Sequence, residues 1–268
     1  MSRIERRFAD CRKHGRKALI PYITGGDPQP AVTVPLMRAL VAAGADIIEV
    51  GIPFSDPMAD GRVIQAACER ALAYGVNIRQ VLEMVREFRV GDSHTPVVLM
   101  GYLNPIEQLG YEVFAREAAA AGVDGILCVD LPPEESEDLI EALQANQLDP
   151  IWLIAPTTRT ERIRRICEVA RGFVYYVSLK GVTGADSLNV DDVAAHVARI
   201  RAATELPVGV GFGIRDAAAA ARIAAVADAA VVGSAIVARI AAHQNEPQAI
   251  YGVVRELIAE MRRAMDAR

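Results

Sequence analysis

Short apolar runs alternate with segments of helical periodicity along almost the whole chain, and this alternation restricts the fold more than any other feature. Eight runs have the length and composition of buried strands, at residues 18–23, 46–51, 96–100, 125–129, 150–154, 173–178, 207–211 and 229–232. Their nearly continuous apolar character is typical of a sheet covered on both faces, and hence of parallel strands. Eight such units predict a single-domain (β/α)₈ barrel over residues 1–268, with a doubly wound open sheet as the alternative.

The segments between the strands carry apolar residues at helical spacing. A short amphipathic helix is predicted before the first strand, because Ser2 and Glu5 spell a capping box and Ile4, Phe8 and Cys11 follow at helical intervals. Further helices are predicted at residues 31–43, 63–74, 78–89, 106–121, 134–146, 160–170, from 216 onward, 235–242 and 248–265. Two helices in each of the second and last connections predict extra helices in the βα loops.

A repeated phrase indicates one repeating βα unit. Ala-Gly-Ala-Asp46 precedes the second strand, Ala-Gly-Val-Asp124 precedes the fourth, and Val-Ala-Asp228, without the glycine, precedes the eighth. We expect the glycine to end one helix and to lead directly into the next strand.

Composition argues against several classes of partner. The net charge is -5 and no Lys/Arg stripe is present, so nucleic acid is not expected as a partner. No apolar run approaches the ~20 residues that span a bilayer, and the N-terminus lacks the apolar block of a signal peptide, so no membrane association is expected. The four cysteines are far apart, without a C-x-x-C pair or a histidine at ligand spacing. We expect reduced thiols, no metal site and a cytoplasmic protein.

Two carboxylates around the second strand mark the candidate active centre. Period-two alternation sends Ile48 and Val50 to one face of the strand and Ile47 and Glu49 to the other. A carboxylate among core residues is unfavourable unless it is paired, protonated or used, so Glu49 is a candidate general acid with a raised pKa, or a structural glutamate bonded to arginine or backbone. Asp60 ends the loop that leaves this strand; taken alone, an aspartate at such a position is more often a helix N-cap.

Polar and glycine residues follow the other strands. In a barrel, chemistry resides in the loops at the carboxyl ends of the strands. Gly211-Phe-Gly213 and Gly233-Ser234 follow the seventh and eighth strands, where helix N-termini with unobstructed backbone N–H groups bind phosphate. Gly181-Val-Thr-Gly184, after the sixth strand, is a candidate lid with glycine hinges, or an ordinary loop.

These motifs together resemble the tryptophan synthase α chain family. The resemblance runs from the first helix to the last and is carried by Glu49-Val-Gly-Ile-Pro-Phe-Ser-Asp-Pro-Met-Ala-Asp60-Gly, Tyr22-Ile-Thr-Gly-Gly-Asp27-Pro, Gly181-Val-Thr-Gly184, Gly211-Phe-Gly213-Ile and Gly233-Ser234-Ala-Ile-Val. The first run is highly specific, whereas the glycine loops fit many phosphate-binding barrels. Arg62 departs from the family, which usually has proline there.

The resemblance implies a lyase that cleaves indole-3-glycerol phosphate into indole and glyceraldehyde 3-phosphate, without metal or organic cofactor. It implies that Glu49 protonates indole C3, that Asp60 holds the indole N–H, and that Tyr175 can contribute a hydroxyl. The indole pocket that it implies comprises Tyr22, Met100, Leu127, Val129, Leu153, Thr183 and Phe212. The phosphate site that it implies comprises Gly184, Gly211, Gly213, Gly233 and Ser234.

The resemblance also implies a partner, a pyridoxal-phosphate β chain in an αββα complex. The loop from Pro53 to Asp60 is the expected contact surface, because it exposes Phe54 and Met58 beside a proposed catalytic residue. Two rival functions remain open: a Schiff-base aldolase that uses Lys180, and a barrel kept only as an activating partner. Intact Glu49 and Asp60 argue against the second.

Overall fold

Eight parallel strands form a closed barrel in a computed structural model that describes residues 1–178, 190–211 and 213–267. The strands are β1 (Ala18–Thr24), β2 (Ile48–Gly51), β3 (Val97–Gly101), β4 (Gly125–Cys128), β5 (Asp149–Ile154), β6 (Val174–Val177), β7 (Val208–Gly211) and β8 (Ala229–Val232). Each strand pairs with the next in chain order, and β8 pairs back onto β1. The (β/α)₈ barrel is confirmed, and the closure between β8 and β1 excludes the open sheet.

Helices surround the barrel and fill several of its connections. They are α1 (Arg3–Lys13), α2 (Pro30–Ala42), α3 (Arg62–Ala73), α4 (Ile78–Gly91), α5 (Leu103–Leu109), α6 (Tyr111–Ala121), α7 (Glu137–Ala145), α8 (Thr160–Val169), α9 (Val190–Arg201), α10 (Ala217–Val226), α11 (Ser234–Ala242) and α12 (Pro247–Asp266). The predicted N-terminal helix and extra loop helices are therefore confirmed. Within the described ranges, no helix is long and apolar enough to cross a membrane.

Three helical segments differ from the prediction. The single helix predicted at 106–121 is two helices, because Gly110 adopts a positive φ of 85° that ends α5 and begins α6. The helix predicted at 134–146 begins instead with a 3₁₀ turn at Pro133–Glu135, and α7 follows it. The sequence pattern indicated no helix between the sixth and seventh strands, where α9 lies.

Side chains from alternate strand positions fill the barrel, and α1 closes its amino-terminal end. Ile4 and Phe8 of α1 belong to the same buried cluster as the inward-facing strand residues, and the rings of Phe8 and Phe173 lie 5.7 Å apart. The predicted capping box between Ser2 and Glu5 is present and starts this helix. In this way α1 blocks access to the barrel interior from the amino-terminal end.

The repeated aspartate has a structural role at the closed end. Asp46 accepts a hydrogen bond of 2.9 Å from the backbone N–H of Leu19, at the start of β1. Asp124 accepts one of 2.8 Å from Val97 on β3, and Asp228 one of 3.0 Å from Val208 on β7. Each carboxylate also meets at least one basic side chain, namely Arg262 on Asp46, Arg3 and Arg89 on Asp124, and Lys17 and Arg201 on Asp228.

The fourth equivalent position explains why the phrase occurs three times. Each repeated aspartate (Asp46, Asp124 and Asp228) donates its backbone N–H to the carbonyl oxygen of a residue on the preceding strand, and the N–H of that same residue donates back to the aspartate carboxylate. Arg171 makes the matching backbone bond, of 2.9 Å, to the carbonyl oxygen of Pro150 on β5. Proline has no N–H to donate. An aspartate at position 171 would therefore have no strand N–H to bind, and arginine occupies the position.

Candidate active site

Glu49 lies inside the barrel on β2. It is opposite Tyr22 of β1 and Val98 of β3 in the strand register. Ile48 and Val50 pack outward against the helices while Ile47 faces the barrel interior, which confirms the predicted alternation and places Glu49 on the interior face. Only 2% of Glu49 is exposed to solvent.

The environment of Glu49 favours its protonated form. Burial, and then the negative charge of Asp60, raise the pKa of this carboxyl from 4.5 to about 8. Its Oε1 atom is buried and has no hydrogen-bond partner among the described residues. The predicted structural alternative, a glutamate tied by this oxygen to arginine or backbone, is therefore not what the described residues show. A buried neutral carboxylic acid is available at physiological pH as a proton donor.

Asp60 is held by a tyrosine from the neighbouring strand. The hydroxyl of Tyr102, directly after β3, donates a 3.0 Å hydrogen bond to Asp60 Oδ2 and accepts one of 3.0 Å from the N–H of Ala59. Burial raises the pKa of Asp60, and the hydrogen bond from Tyr102 partly offsets this rise. The N-cap of α3 is Gly61, without a side-chain cap, so the carboxylate of Asp60 is not used for capping.

The backbone of Asp60 is fixed as well as its side chain. Gln65, in the first turn of α3, donates from Nε2 to the carbonyl oxygen of Asp60 at 2.8 Å. The N–H of Asp60 itself bonds to the carbonyl of Pro57 at 3.0 Å. The loop that carries the second carboxylate therefore ends in a turn that is bonded to a helix.

Tyr175 projects into the barrel from β6, on the same face as Phe173. Burial, and then the charges of Glu49 and Asp60, raise the pKa of its phenol well above its usual range. A Cβ atom at Gly211 would overlap the Tyr175 hydroxyl oxygen. Gly211 thus has a packing reason to be glycine that is independent of any phosphate.

A cavity of about 550 Å³ opens at the carboxyl ends of the strands. Asp60 and Tyr175 line it together with four residues predicted for the indole pocket, namely Met100, Leu127, Val129 and Leu153. Tyr22, also predicted there, lies in a small neighbouring cluster with Ala67 and Val237. Thr183 and Phe212 lie outside the described residues. The cavity has the apolar lining that an aromatic ring requires.

Sequence reasoning missed part of this cavity. Its outer wall includes Cys128, Trp152, Thr158, Arg162 and Ile166, and the prediction did not name them for the pocket. Cys128 and Trp152 belong to the layer between barrel and helices, so the cavity extends past the strand ends toward α8. Strand alternation assigns Cys128 and Trp152 to the ordinary core, and no sequence pattern distinguished the five residues from their neighbours.

The two glycine turns differ in how their helices begin. Asp216 caps α10, since its carboxylate accepts a 2.8 Å hydrogen bond from the N–H of Ala219. Gly233 precedes α11 and provides no side-chain cap, which leaves the first N–H groups of this nine-residue helix open to an anion. Gly213 has a positive φ of 76°, which glycine adopts without strain. Gly184 lies outside the described residues.

Three further residues are Asp130, Arg62 and Lys180, of which the sequence analysis named the last two. Asp130 accepts a 2.8 Å hydrogen bond from the N–H of Leu103 and so caps α5, although it also lines the cavity. Arg62 is exposed at the first position of α3. Lys180, the residue of the rival aldolase, lies outside the described residues.

The fold and the site define a class of enzyme: a (β/α)₈ barrel with a buried acid and a second carboxylate at its open end, beside an apolar cavity and an uncapped helix N-terminus. The family model described as tryptophan synthase alpha chain matches residues 8–266. The chain therefore belongs to the tryptophan synthase alpha chain family, the lyase subunits of tryptophan biosynthesis that cleave indole-3-glycerol phosphate.

Individual relatives agree with this assignment along the whole chain. The tryptophan synthase alpha chain of Thioalkalivibrio sulfidiphilus is 67% identical over 99% of this chain and 100% of its own length. That of Alkalilimnicola ehrlichii is 64% identical over 99% of this chain and 97% of its own. The crystal structure of tryptophan synthase subunit alpha from Legionella pneumophila superposes with a TM-score of 0.94 at 45% identity and covers 100% of both chains. A crystal structure of tryptophan synthase from M. tuberculosis superposes with a TM-score of 0.86 at 38% identity, over 98% of this chain and 100% of that one.

Proposed function

We propose that this chain cleaves indole-3-glycerol phosphate with Glu49 as the general acid and Asp60 as the residue that holds the indole ring. Glu49 gives its proton to C3 of the indole, which turns the ring into an electron sink. The bond between C3 and the adjacent carbinol carbon then breaks, and its electron pair returns to the ring. The carbinol hydroxyl loses its proton and becomes the aldehyde of glyceraldehyde 3-phosphate, while indole leaves with the new C3 hydrogen.

The burial of Glu49 inside the barrel, with Oε1 lacking a hydrogen-bond partner among the described residues, is the observation that carries this proposal, because it favours the protonated acid. A general acid is most effective when its pKa lies near the operating pH, and the pKa of Glu49 is about 8. Once it has given up its proton, the same buried carboxylate is a stronger base than an ordinary one, because its pKa is raised, so it can accept the carbinol proton. One residue can therefore serve both steps.

Asp60 and Tyr175 complete the proposed catalytic set. Asp60 lines the cavity and would accept a hydrogen bond from the indole N–H, which stabilises the positive charge that develops when C3 is protonated. Tyr175 keeps its proton because its pKa is well above the usual range, so its hydroxyl serves as a hydrogen-bond donor rather than as a base.

The two ends of the substrate match two parts of the open barrel end. The indole would lie in the cavity, against Met100, Leu127, Val129 and Leu153. The phosphate would bind Gly213, Gly233 and Ser234, with Gly184, and the uncapped N-terminus of α11 supports this placement. For Gly211 we propose a packing role instead: the absence of a side chain leaves room for the hydroxyl of Tyr175.

We propose that the partner is a pyridoxal-phosphate β chain in an αββα complex, docked on the loop after β2. Met58 in this loop is 80% exposed, which is unusual for a large apolar side chain. The ring of Phe54 lies 5.3 Å from that of Tyr102, and Tyr102 binds Asp60. Contact of a partner with Phe54 would therefore reach Asp60 through a single intervening side chain, Tyr102.

A cytoplasmic location accords with the thiols. All four cysteines are free, and burial raises the pKa of Cys11 and of Cys128 to about 12. Such thiols are almost entirely protonated near neutral pH and act as packing groups.

Release of indole from indole-3-glycerol phosphate tests the proposed function. The purified chain should release indole, a β chain should accelerate the release, and Glu49→Gln should lower kcat by at least about 10³-fold. Glu112→Gln is the matched control, because Glu112 is an exposed glutamate in the first turn of α6. Wild-type turnover that survives in Glu49→Gln would reject Glu49 as the acid; no turnover by wild type with its partner would reject the lyase.

A further inference from the structure

Tyr22 lies between the two ends of the proposed substrate site. Its ring packs beside Gly233, since a Cβ atom at Gly233 would lie 3.6 Å from Tyr22 Cδ1. Its hydroxyl reaches across to β2, because a Cβ atom at Gly51 would overlap that oxygen. Gly51 follows Glu49 by two residues and therefore shares its face of the strand. One side chain thus runs from the uncapped N-terminus of α11 to the strand that carries the acid.

The Tyr22 hydroxyl is paired with a second hydroxyl. Its oxygen lies 3.2 Å from Oγ1 of Thr24, two residues further along the same face of β1. Among the described residues, each of these hydroxyls bonds only to the other. Two hydroxyls carry two hydrogens, and their mutual bond uses one. The pair therefore keeps one hydrogen and several lone pairs for a ligand.

The chemistry of the pair suits an alcohol. Burial, and then the charge of Asp60, raise the pKa of Tyr22 well above its usual range, so the phenol remains neutral. Tyr22 is 6% exposed and Thr24 is 1% exposed, which limits competition from bulk water. A neutral pair that can both donate and accept is suited to a neutral hydroxyl group rather than to a charged one.

The substrate of the proposed reaction carries its hydroxyls on the three-carbon chain between the indole and the phosphate. Given the proposed function, on which this inference rests, the phosphate lies at Gly233 and the indole C3 lies at Glu49. We infer that the paired hydroxyls of Tyr22 and Thr24 bind a hydroxyl group of this chain. Tyr22 is then a specificity-determining residue, which distinguishes the substrate from an analogue without chain hydroxyls.

Binding measurements in a chemically inactive background test this contact. Glu49→Gln serves as the background so that indole-3-glycerol phosphate is not consumed. The second ligand is indole-3-propanol phosphate, which keeps the ring, the three carbons and the phosphate but lacks both chain hydroxyls. Adding Tyr22→Phe should raise the Kd of indole-3-glycerol phosphate about tenfold and change that of the deoxy analogue by less than about twofold.

Two further variants separate contact from structure. Tyr74→Phe is the matched control, because Tyr74 is 56% exposed at the C-cap of α3 and its replacement should affect neither ligand. Thr24→Val should discriminate between the ligands as Tyr22→Phe does, and the double variant should lose little more than either single one, because the two hydroxyls act as a pair. If Tyr22→Phe weakens both ligands equally, or neither, the inference is wrong. Wild-type turnover decides the proposed function separately, so the two failures are distinguishable.

Discussion

The hydroxyl of Tyr102 donates a 3.0 Å hydrogen bond to the carboxylate of Asp60, so the end of β3 holds the loop that leaves β2. The same oxygen accepts the N–H of Ala59, and therefore fixes the backbone as well as the side chain of this loop. The ring of Phe54 packs against the tyrosine ring, with their centroids 5.3 Å apart. The position of Asp60, and through it the proposed grip on the indole, depends on a phenol that does not itself need to touch substrate.

Removal of this phenol should impair catalysis more than it impairs folding. Tyr102→Phe keeps the ring but leaves Asp60 and the Ala59 N–H without their partner, and we expect kcat/KM for indole-3-glycerol phosphate to fall about tenfold or more. Thermal unfolding should change by only a few degrees. Tyr111→Phe, which removes a hydroxyl bonded to Glu107 at 3.2 Å on the surface, is the control. Unchanged kcat/KM in Tyr102→Phe would show that the loop is positioned by other contacts.

Stability should depend on pH through Glu49. Its folded pKa of about 8 lies above its ordinary value of 4.5, so the folded state holds the proton more tightly than the unfolded state. Stability is therefore unaffected by this group below pH 4.5 and falls as the pH rises toward 8. Glu49→Gln lacks this loss, and its advantage over wild type should grow by on the order of 4 kcal/mol between pH 5 and pH 9.

Urea unfolding of wild type, Glu49→Gln and Glu112→Gln at the two pH values measures this difference. The exposed Glu112 variant should follow wild type at both. An equal stability difference between Glu49→Gln and wild type at pH 5 and pH 9 would contradict a buried, protonated Glu49.

The ion pair between Arg70 and Asp27 should contribute strongly to stability. Arg70 on α3 donates to both carboxylate oxygens of Asp27, at 2.6 and 3.0 Å, and the side chain of Asp27 is fully buried. Arg70→Met should lower the free energy of unfolding by about 3 kcal/mol, because it leaves a buried carboxyl without its partner. Adding Asp27→Asn should recover part of that loss.

An exposed ion pair provides the comparison for Arg70. Arg79 and Glu117 lie 3.3 Å apart with side chains 64% and 33% exposed, so Arg79→Met should change the free energy of unfolding by less than about 1 kcal/mol. Chemical denaturation measures all of these variants. Equal losses from Arg70→Met and Arg79→Met would show that burial of the pair contributes nothing.

The aspartates at the closed end should matter for folding and not for chemistry. Asp124→Ala removes the acceptor of the Val97 N–H and the partner of Arg89 at 2.7 Å, and should lower the free energy of unfolding by about 3–5 kcal/mol. The folded fraction should keep the kcat of wild type. Arg171→Ala, at the equivalent position opposite Pro150, should lower the free energy of unfolding far less than Asp124→Ala does. A large fall in kcat with Asp124→Ala would contradict this division of labour.

The sequence predicted the barrel and its carboxylates because their signals are local. Strand alternation alone places Glu49 among core residues, and the unfavourable free energy of a buried charge indicates a role. The repeated phrase before Asp46, Asp124 and Asp228 likewise revealed a repeating unit. Its physical meaning, a carboxylate that accepts an N–H at the start of the preceding strand, required the register between strands.

What the sequence could not show depends on contacts between distant elements. The hydrogen bond between Tyr102 and Asp60 joins residues 42 positions apart, and no local sequence pattern around either residue predicts it. The two glycine turns look equivalent in sequence, yet the helices that follow them begin differently. The side chain of Asp216 caps the N-terminus of α10, whereas the N-terminus of α11 has no side-chain cap. The break at Gly110 was missed because its flanking residues have good helical periodicity on both sides.

The pKa of Glu49, measured directly, tests the central claim that this carboxyl is a buried acid at neutral pH. Infrared difference spectra of wild type minus Glu49→Gln, recorded across pH, show the C=O stretch of the protonated carboxyl as it disappears on ionisation. We predict that this band titrates with a midpoint of about 8. A midpoint near the ordinary value of 4.5 would mean that Glu49 is ionised at neutral pH, and another residue would have to supply the proton.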